Sequence, residues 1–330
     1  MKHSFSFILL LIGCCCFAQP SDHDQEIMQI KGKWVRHNDV NAHHDALSTK
    51  NHSAFAIKKI DSIAYLLKQA CPNPAGIEAA WYGTINEEPL FNGAPGSYSL
   101  YSLYQSYYFN RKMNKISLGS ETGTWIYAYV NDFGKFLIDL GEWIIDGKPT
   151  KVFTLPESDG EWKGLPLYKT EYWGVSTSLG RYKDKAVLIT RNGKLPYIPV
   201  TQKQFLLALK DKWLSLKQKS SDSQKLNEYY NHKIKIIDQY LSTHSDQQMK
   251  VPASTISTED FIGHFGPDGK QTVYNPVRID PSNFDDHLPR YIPRFVVLYW
   301  RCDKNTAAVE FIKQFEENFP VEKLKAMIDK

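Results

Sequence analysis

Between residues 77 and 200 the chain is broken at short intervals by dipeptides that force tight turns: Asn92-Gly93, Pro95-Gly96, Asp146-Gly147, Asp159-Gly160 and Asn192-Gly193. Between them lie aromatic and β-branched runs, among them Thr124-Trp125-Ile126-Tyr127-Ala128-Tyr129-Val130 and Ala186-Val187-Leu188-Ile189-Thr190. Asn-Gly and Asp-Gly suit type I′ turns because both central residues need positive φ, and such turns join antiparallel neighbours. Aromatic and β-branched side chains fit a pleated, half-buried surface. The segment is therefore expected to form an antiparallel sheet. Its best-defined hairpin runs from 186–190 through Asn192-Gly193 to 195–200. Pro196 and Pro199 cannot donate to a ladder, so that second strand is expected at an edge or as an irregular exit.

Helical signals flank the strands. Residues 22–36 and 52–71 both read as helices, the second because Phe55, Ile57, Ile60, Ile63, Ala64, Leu66 and Leu67 recur near a 3.6-residue period. Pro72-Asn73-Pro74 ends it. At the other boundary, Thr201-Gln202-Lys203-Gln204 has the form of a capping box, with Val200 and Phe205 placed for a hydrophobic staple. Leu209, Trp213 and Leu216 then start a heptad phase that passes through Ser220, Ser223 and Asn227 and resumes at Tyr230, Ile234, Ile237 and Leu241. This is one long helix with a polar middle or a hairpin turning at 220–223. The Ser-Ser-Asp-Ser run, better turn material than helix interior, favours the hairpin. Residues 243–290 read as a long polar loop with one helical turn near 258–262. A strand at 294–301, expected to return to the sheet, and helices at 306–318 and 320–329 close the chain. The expected class is α+β: a mostly antiparallel sheet core flanked by N- and C-terminal helices, with a long helix or helical hairpin arm at 201–247. Residues 19–330 are read as one domain.

The N-terminus bears on location. Lys2, an apolar run over 5–12 and the small residues of Gly13-Cys14-Cys15-Cys16-Phe17-Ala18 have the layout of a secretory signal peptide. Cleavage after Ala18 gives a soluble secreted or periplasmic protein. Alternatively, Leu11-Ile12-Gly13-Cys14 resembles a bacterial lipobox, which puts a lipid on Cys14 and tethers the protein to a membrane through buried acyl chain. No apolar run approaches the ~20 residues of a spanning helix. Export leaves two of the five cysteines, Cys71 and Cys302. An even pair in an oxidising compartment is a disulfide candidate. It forms if strands 77–82 and 295–300 are antiparallel neighbours.

Composition narrows the partners. Forty basic against thirty-six acidic residues give a net charge of +4, too weak and too dispersed for nucleic acid. The nine lysines and five acids of 201–250 read as a solvated helix face.

Catalytic signatures are missing: the sequence holds no HExxH, P-loop or GxGxxG, and Gly174-Val175-Ser176-Thr177-Ser178 lacks the last glycine of a nucleophile elbow. His37, Asp39, His43, His44 and Asp45 form the densest metal-capable set, in a polar stretch where such residues usually face water. Glu157, Asp159 and Glu161 read as an acidic turn, and Asp285-Asp286-His287 lies in the long loop. No metal or cofactor is expected.

The unusual feature is aromatic. Tyr98, Tyr101, Tyr104 and Tyr107 fall every third residue, and Trp125, Tyr127 and Tyr129 share one face of another strand. Rings with polar tips serve both cores and binding platforms. Tyr101, Tyr104, Trp125 and Tyr127 are the candidate ligand-binding residues. The expected function is a non-catalytic cell-envelope protein that binds a small molecule, glycan or peptide, or an envelope partner, through this face or the helical arm. The alternatives are an exported hydrolase using carboxylates and histidines of 243–290, and a structural protein assembling through the arm.

Overall fold

The turn-punctuated segment does form strands, and they sort into two mostly antiparallel sheets. The structure, a computed structural model, describes residues 22–330 except 38–40, 43–49, 87–93, 121, 172–182, 192, 221–222, 268, 270–272 and 285–287. In chain order, α1 (Asp22–Met28), β1 (Trp34–Arg36), the short β2 (Asn41–Ala42) and α2 (Lys50–Ala70) precede β3 (Ile77–Asn86), β4 (Ser97–Asn110), β5 (Lys115–Leu118) and β6 (Thr124–Val130). Next come β7 (Ile138–Ile145), β8 (Lys148–Leu155), β9 (Glu157–Trp162), β10 (Leu165–Glu171), β11 (Lys183–Thr190) and β12 (Tyr197–Pro199). The chain ends with α3 (Gln202–Lys219), α4 (Gln224–Thr243), β13 (Asn275–Ile279), β14 (Phe295–Arg301), α5 (Thr306–Asn318) and α6 (Val321–Lys325).

The large sheet runs β1-β3-β4-β6-β14-β11-β10-β9, with β2 also on β3 and β5 on the end of β4; the small one runs β12-β13-β8-β7. Among the described residues only β1 and β2 pair in parallel, both with β3. Four layers result. α2, α5 and α6 bury Ile60, Ile63, Leu67, Phe311, Phe315 and Leu324 against one face of the large sheet, on Leu100, Tyr104, Ile126 and Leu298. The opposite face meets the small sheet through Phe133, Phe153, Tyr197, Val277 and Phe295. On the far side of the small sheet, Ile145 and Val152 meet Phe205, Leu206, Leu209 and Trp213 of α3. No helix among the described residues is long and apolar enough to cross a membrane.

Strand 294–301 does return to the large sheet, as β14, between β6 and β11. Being covered on both faces, all seven of its residues are buried, and its sequence is a near-continuous apolar run without alternation. The arm is a helical hairpin. The capping box opens α3, Gln204 N donating to Thr201 Oγ1 (3.2 Å) and Thr201 N to Gln204 Oε1 (3.1 Å). Ser220 caps the end of α3 and Ser223 the start of α4.

Four expectations need correction. The helix expected over 22–36 stops at Met28, because the chain must pass close to β3: a Cβ on Gly32 would lie 1.7 Å from the Ile77 carbonyl oxygen. Residues 34–36 then pair with β3, and Trp34 packs on Tyr104 and Phe311. The hairpin expected across Asn192-Gly193 does not form. β11 stays in the large sheet while β12 crosses to the small one, where it is the edge strand its prolines require. Within the 243–290 stretch, 275–279 form β13, a strand hidden by its own Pro276. Finally, Cys71 and Cys302 are free thiols, not a disulfide. β3 and β14 run antiparallel, but β4 and β6 separate them, a gap of about 14 Å at the usual strand spacing. A disulfide needs Cα atoms within about 7 Å. Burial pushes the Cys71 thiol up to about 12 and the Cys302 thiol up to about 11.

Candidate functional site

The β3, β4, β6 and β14 strands place four tyrosines directly opposite one another on the face turned from the helices. Tyr82 pairs with Tyr101, Tyr101 with Tyr127, and Tyr127 with Tyr299. Neighbouring rings in this row lie 5.2, 4.8 and 6.4 Å apart. At the usual strand spacing it is about 14 Å long. A second row beside it consists of Leu103, Trp125 and Arg301. Trp125 and Tyr127, two residues apart on β6, hold their rings parallel within 6° at 5.8 Å. Tyr82, Tyr101, Trp125 and Tyr127 are half-buried, whereas Tyr129 and Tyr299 are buried. The result is a half-open aromatic shelf beyond the margin of the small sheet.

A buried polar unit holds its end. Asp184, with no exposure, accepts hydrogen bonds from Arg301 Nε, from Arg301 Nη2 at 2.7 Å and from the Tyr299 hydroxyl. Fixed in this way, the guanidinium lies 4.1 Å from the Trp125 ring centre. The 131–137 turn between β6 and β7 brings in a second cation. Asn131, fully buried, donates to the Gly96 and Ile292 carbonyls and accepts from Arg294 N at 2.6 Å. Asp132 Oδ1 accepts from Gly134 N, and its Oδ2 from Asn86 Nδ2. Gly134, at φ +52°, leaves no room for a Cβ, which would lie 2.5 Å from the Tyr129 ring. Phe133 and Phe136 anchor the turn between the sheets. Lys135 Nζ is thereby set 5.9 Å from the Trp125 ring centre and 5.6 Å from that of Tyr127.

Burial lowers the Lys135 pKa, Asp184 works against that and Arg301 adds to it. Burial also raises Tyr101, Tyr127 and Tyr129, so all three hydroxyls are protonated at neutral pH and able to donate. Trp125 Nε1 is shielded from solvent and meets no acceptor among the described residues. The shelf thus offers ring faces, hydroxyl donors and acceptors and a cation, a set suited to binding a flat, polar-edged molecule.

Of the four candidates from sequence, Tyr101, Trp125 and Tyr127 lie together here. Tyr104 does not. It is 1% exposed on the opposite face, its ring 4.2 Å from that of Phe311 under α5. Tyr82, Asp184, Tyr299, Arg301 and Lys135 do not stand out in the sequence, and Tyr129, read there as sharing a face with Trp125 and Tyr127, is buried. Alternation along 295–301 puts Tyr299 and Arg301 on one face, but their place beside Trp125 depends on a register the sequence does not display.

Cys14, Asp39, His43, His44, Asp45, Ser176, Asp285, Asp286 and His287 lie outside the described residues. Among the described residues no three His, Cys, Asp or Glu side chains are grouped to hold a metal. In the 243–290 stretch, Glu259 and Asp260 pair with Lys212 and Lys233, tying the loop to the arm. Comparison with known proteins finds no matching family model, no similar curated protein and no similar solved structure.

Proposed function

We propose that this is an exported ligand-binding protein whose aromatic shelf takes a glycan, stacking the apolar faces of the sugar rings on Tyr82, Tyr101, Trp125 and Tyr127. The observation that carries the reading is the in-register row Tyr82–Tyr101–Tyr127, half-open to solvent beside Trp125. Three half-open rings abreast on a rigid sheet present a preformed surface, and little side-chain entropy is lost on binding. The hydroxyls of the half-buried tyrosines would meet the sugar oxygens, adding polar contacts to the ring stacking. The signal-like layout of residues 1–18 supports export, with the protein beginning at Gln19 or carrying a lipid on Cys14.

The test is a thermal-shift screen of the purified protein against glycans, peptides and divalent metals, followed by calorimetric titration of any glycan that stabilises it. Trp125→Ala and Tyr127→Ala should each weaken glycan binding about tenfold, roughly the 1.4 kcal/mol of a well-packed ring contact. Stabilisation by peptides or metals alone, or glycan affinity unchanged in both variants, would sink the reading. Mass spectrometry of the exported protein decides between a free Gln19 terminus and an acylated Cys14.

A further inference from the structure

A second feature lies at the far end of β4, away from the aromatic shelf. Pairing with β3 stops at Ile77 and Ser106, and among the described residues 107–110 pair with β5 alone. Four residues at strand rise carry the β4–β5 hairpin about 13 Å past the end of that pairing. Its tip is a fixed turn. Asn110 Oδ1 accepts from Lys112 N (3.1 Å) and Met113 N (3.2 Å), and Asn114 turns the chain back at φ +46°.

The tip is basic, with an apolar side chain at its apex. Arg111, Lys112, Met113 and Lys115 are exposed, Met113 to 53%, and the exposed Tyr108 stands within reach of Asn110. Residues 110–115 hold three cations and no acid. No carboxylate among the described residues pairs with Arg111, Lys112 or Lys115. The acids at the base of the hairpin have other partners. Glu78 accepts from the Tyr107 hydroxyl at 2.6 Å, Glu26 faces His23 at 3.3 Å, and Asp24 is likewise engaged.

The start of α1 lies against this hairpin, the His23 ring stacked on Phe109 at 3.6 Å and parallel within 6°. Cys14 precedes Asp22 by eight residues, a reach of about 29 Å at most, so a lipid on Cys14 would sit at the same end of the molecule as the tip. We propose that the β4–β5 tip docks on an anionic phospholipid bilayer. Met113 enters the boundary between headgroups and acyl chains, while Arg111, Lys112 and Lys115 lay their stems along it and hold their charges among the lipid phosphates. An apolar apex ringed by cations, on the end that leads to Cys14, fits a bilayer better than an acidic protein face. One acyl chain gives only reversible binding, and a basic patch beside it is the second signal that stable anchoring takes. Docking here is separate from the glycan reading.

The test uses the chain beginning at Gln19, whose binding owes nothing to an acyl group, so that it stands whether or not Cys14 is lipidated. Co-sedimentation with sucrose-loaded vesicles compares phosphatidylcholine alone with a mixture containing about one third phosphatidylglycerol. Partitioning onto the anionic vesicles should be at least tenfold stronger than onto the neutral ones, and raising sodium chloride from 0.1 to 0.5 M should abolish the difference. Arg111→Glu with Lys112→Glu and Lys115→Glu should remove the anionic preference. Met113→Ser should weaken binding at least threefold. The control is Lys219→Glu with Lys225→Glu and Lys235→Glu, exposed positions on the arm that change net charge by the same amount. It should bind within twofold of the unaltered chain, and all variants should keep its circular dichroism spectrum. No preference for anionic vesicles, undiminished binding by the tip variant or by Met113→Ser, or an equal loss in the arm variant would each overturn the proposal.

Discussion

Asp184 is held without solvent contact between the Arg301 guanidinium and the Tyr299 hydroxyl, and removing its carboxylate strands a buried cation under the Trp125 ring. Asp184→Ala should therefore lower unfolding stability by about 3–5 kcal/mol in urea titrations. The double variant Asp184→Leu with Arg301→Met should recover most of that loss, since two apolar groups remove both charges and their desolvation together. The thiols offer a second reading of burial. Cys71 and Cys302 are raised to about 12 and about 11 from an ordinary value of 9, so at pH 8 their thiolate fraction is about 100-fold or more below that of the unfolded chain. At Cys71 and Cys302 the native protein should react with a disulfide reagent at least that much more slowly than protein in guanidinium, as read by mass spectrometry of the two labelled peptides. At this scale the sequence displayed Tyr101, Trp125 and Tyr127 well, because alternation within one strand is visible in the order of residues. It misplaced Tyr104, since a three-residue spacing along a strand alternates faces. It could not display Asp184 beside Arg301, because their meeting depends on β11 and β14 pairing across more than a hundred residues of chain.

Elements were legible where local chemistry decides them. The Thr201–Gln204 box forms as its residues dictate, and Thr201→Ala should cost about 1 kcal/mol by urea denaturation, with Thr201→Ser close to neutral. The serines that end α3 and begin α4 show the same local control. Where tertiary pairing decides, local signals misled. Asn192-Gly193 has the chemistry of a hairpin turn, yet Leu188 and Ile189 find partners in β14 whereas Tyr197 and Ile198 find theirs in β13. β1 is the converse: its three residues carry no strand signal strong enough to outweigh the helical pattern upstream. Only contact with β3 orders them as a strand.

Across the whole molecule, tyrosine supplies a shared response to alkali. Tyr98, Tyr104, Tyr129 and Tyr197 are all raised by burial, and Tyr107 is raised to about 12, chiefly by its 2.6 Å hydrogen bond to Glu78. A raised acid favours its protonated form in the folded state, so the contribution is complete below pH 10, the unfolded value. It is lost as pH rises from there through the folded values. Stability by urea titration should be flat from pH 7 to about 8, begin to fall as pH passes 9, the unfolded value of the two buried thiols, and fall more steeply above pH 10. Phenolate absorbance should show an exposed set titrating near pH 10 and a buried set appearing only together with unfolding. A coincident, fully reversible titration of every tyrosine near pH 10 in folded protein would contradict this.

β14 occupies the middle of the large sheet although it follows every other described strand in the chain. Until β14 docks, a vacant lane separates β6 from β11, and each has an unpaired edge beside a strongly apolar face. The layers on either side cannot consolidate until residues 295–301 are in place. A chain truncated before residue 295 should therefore aggregate, and the keystone strand makes the docking of 295–301 the checkpoint for folding.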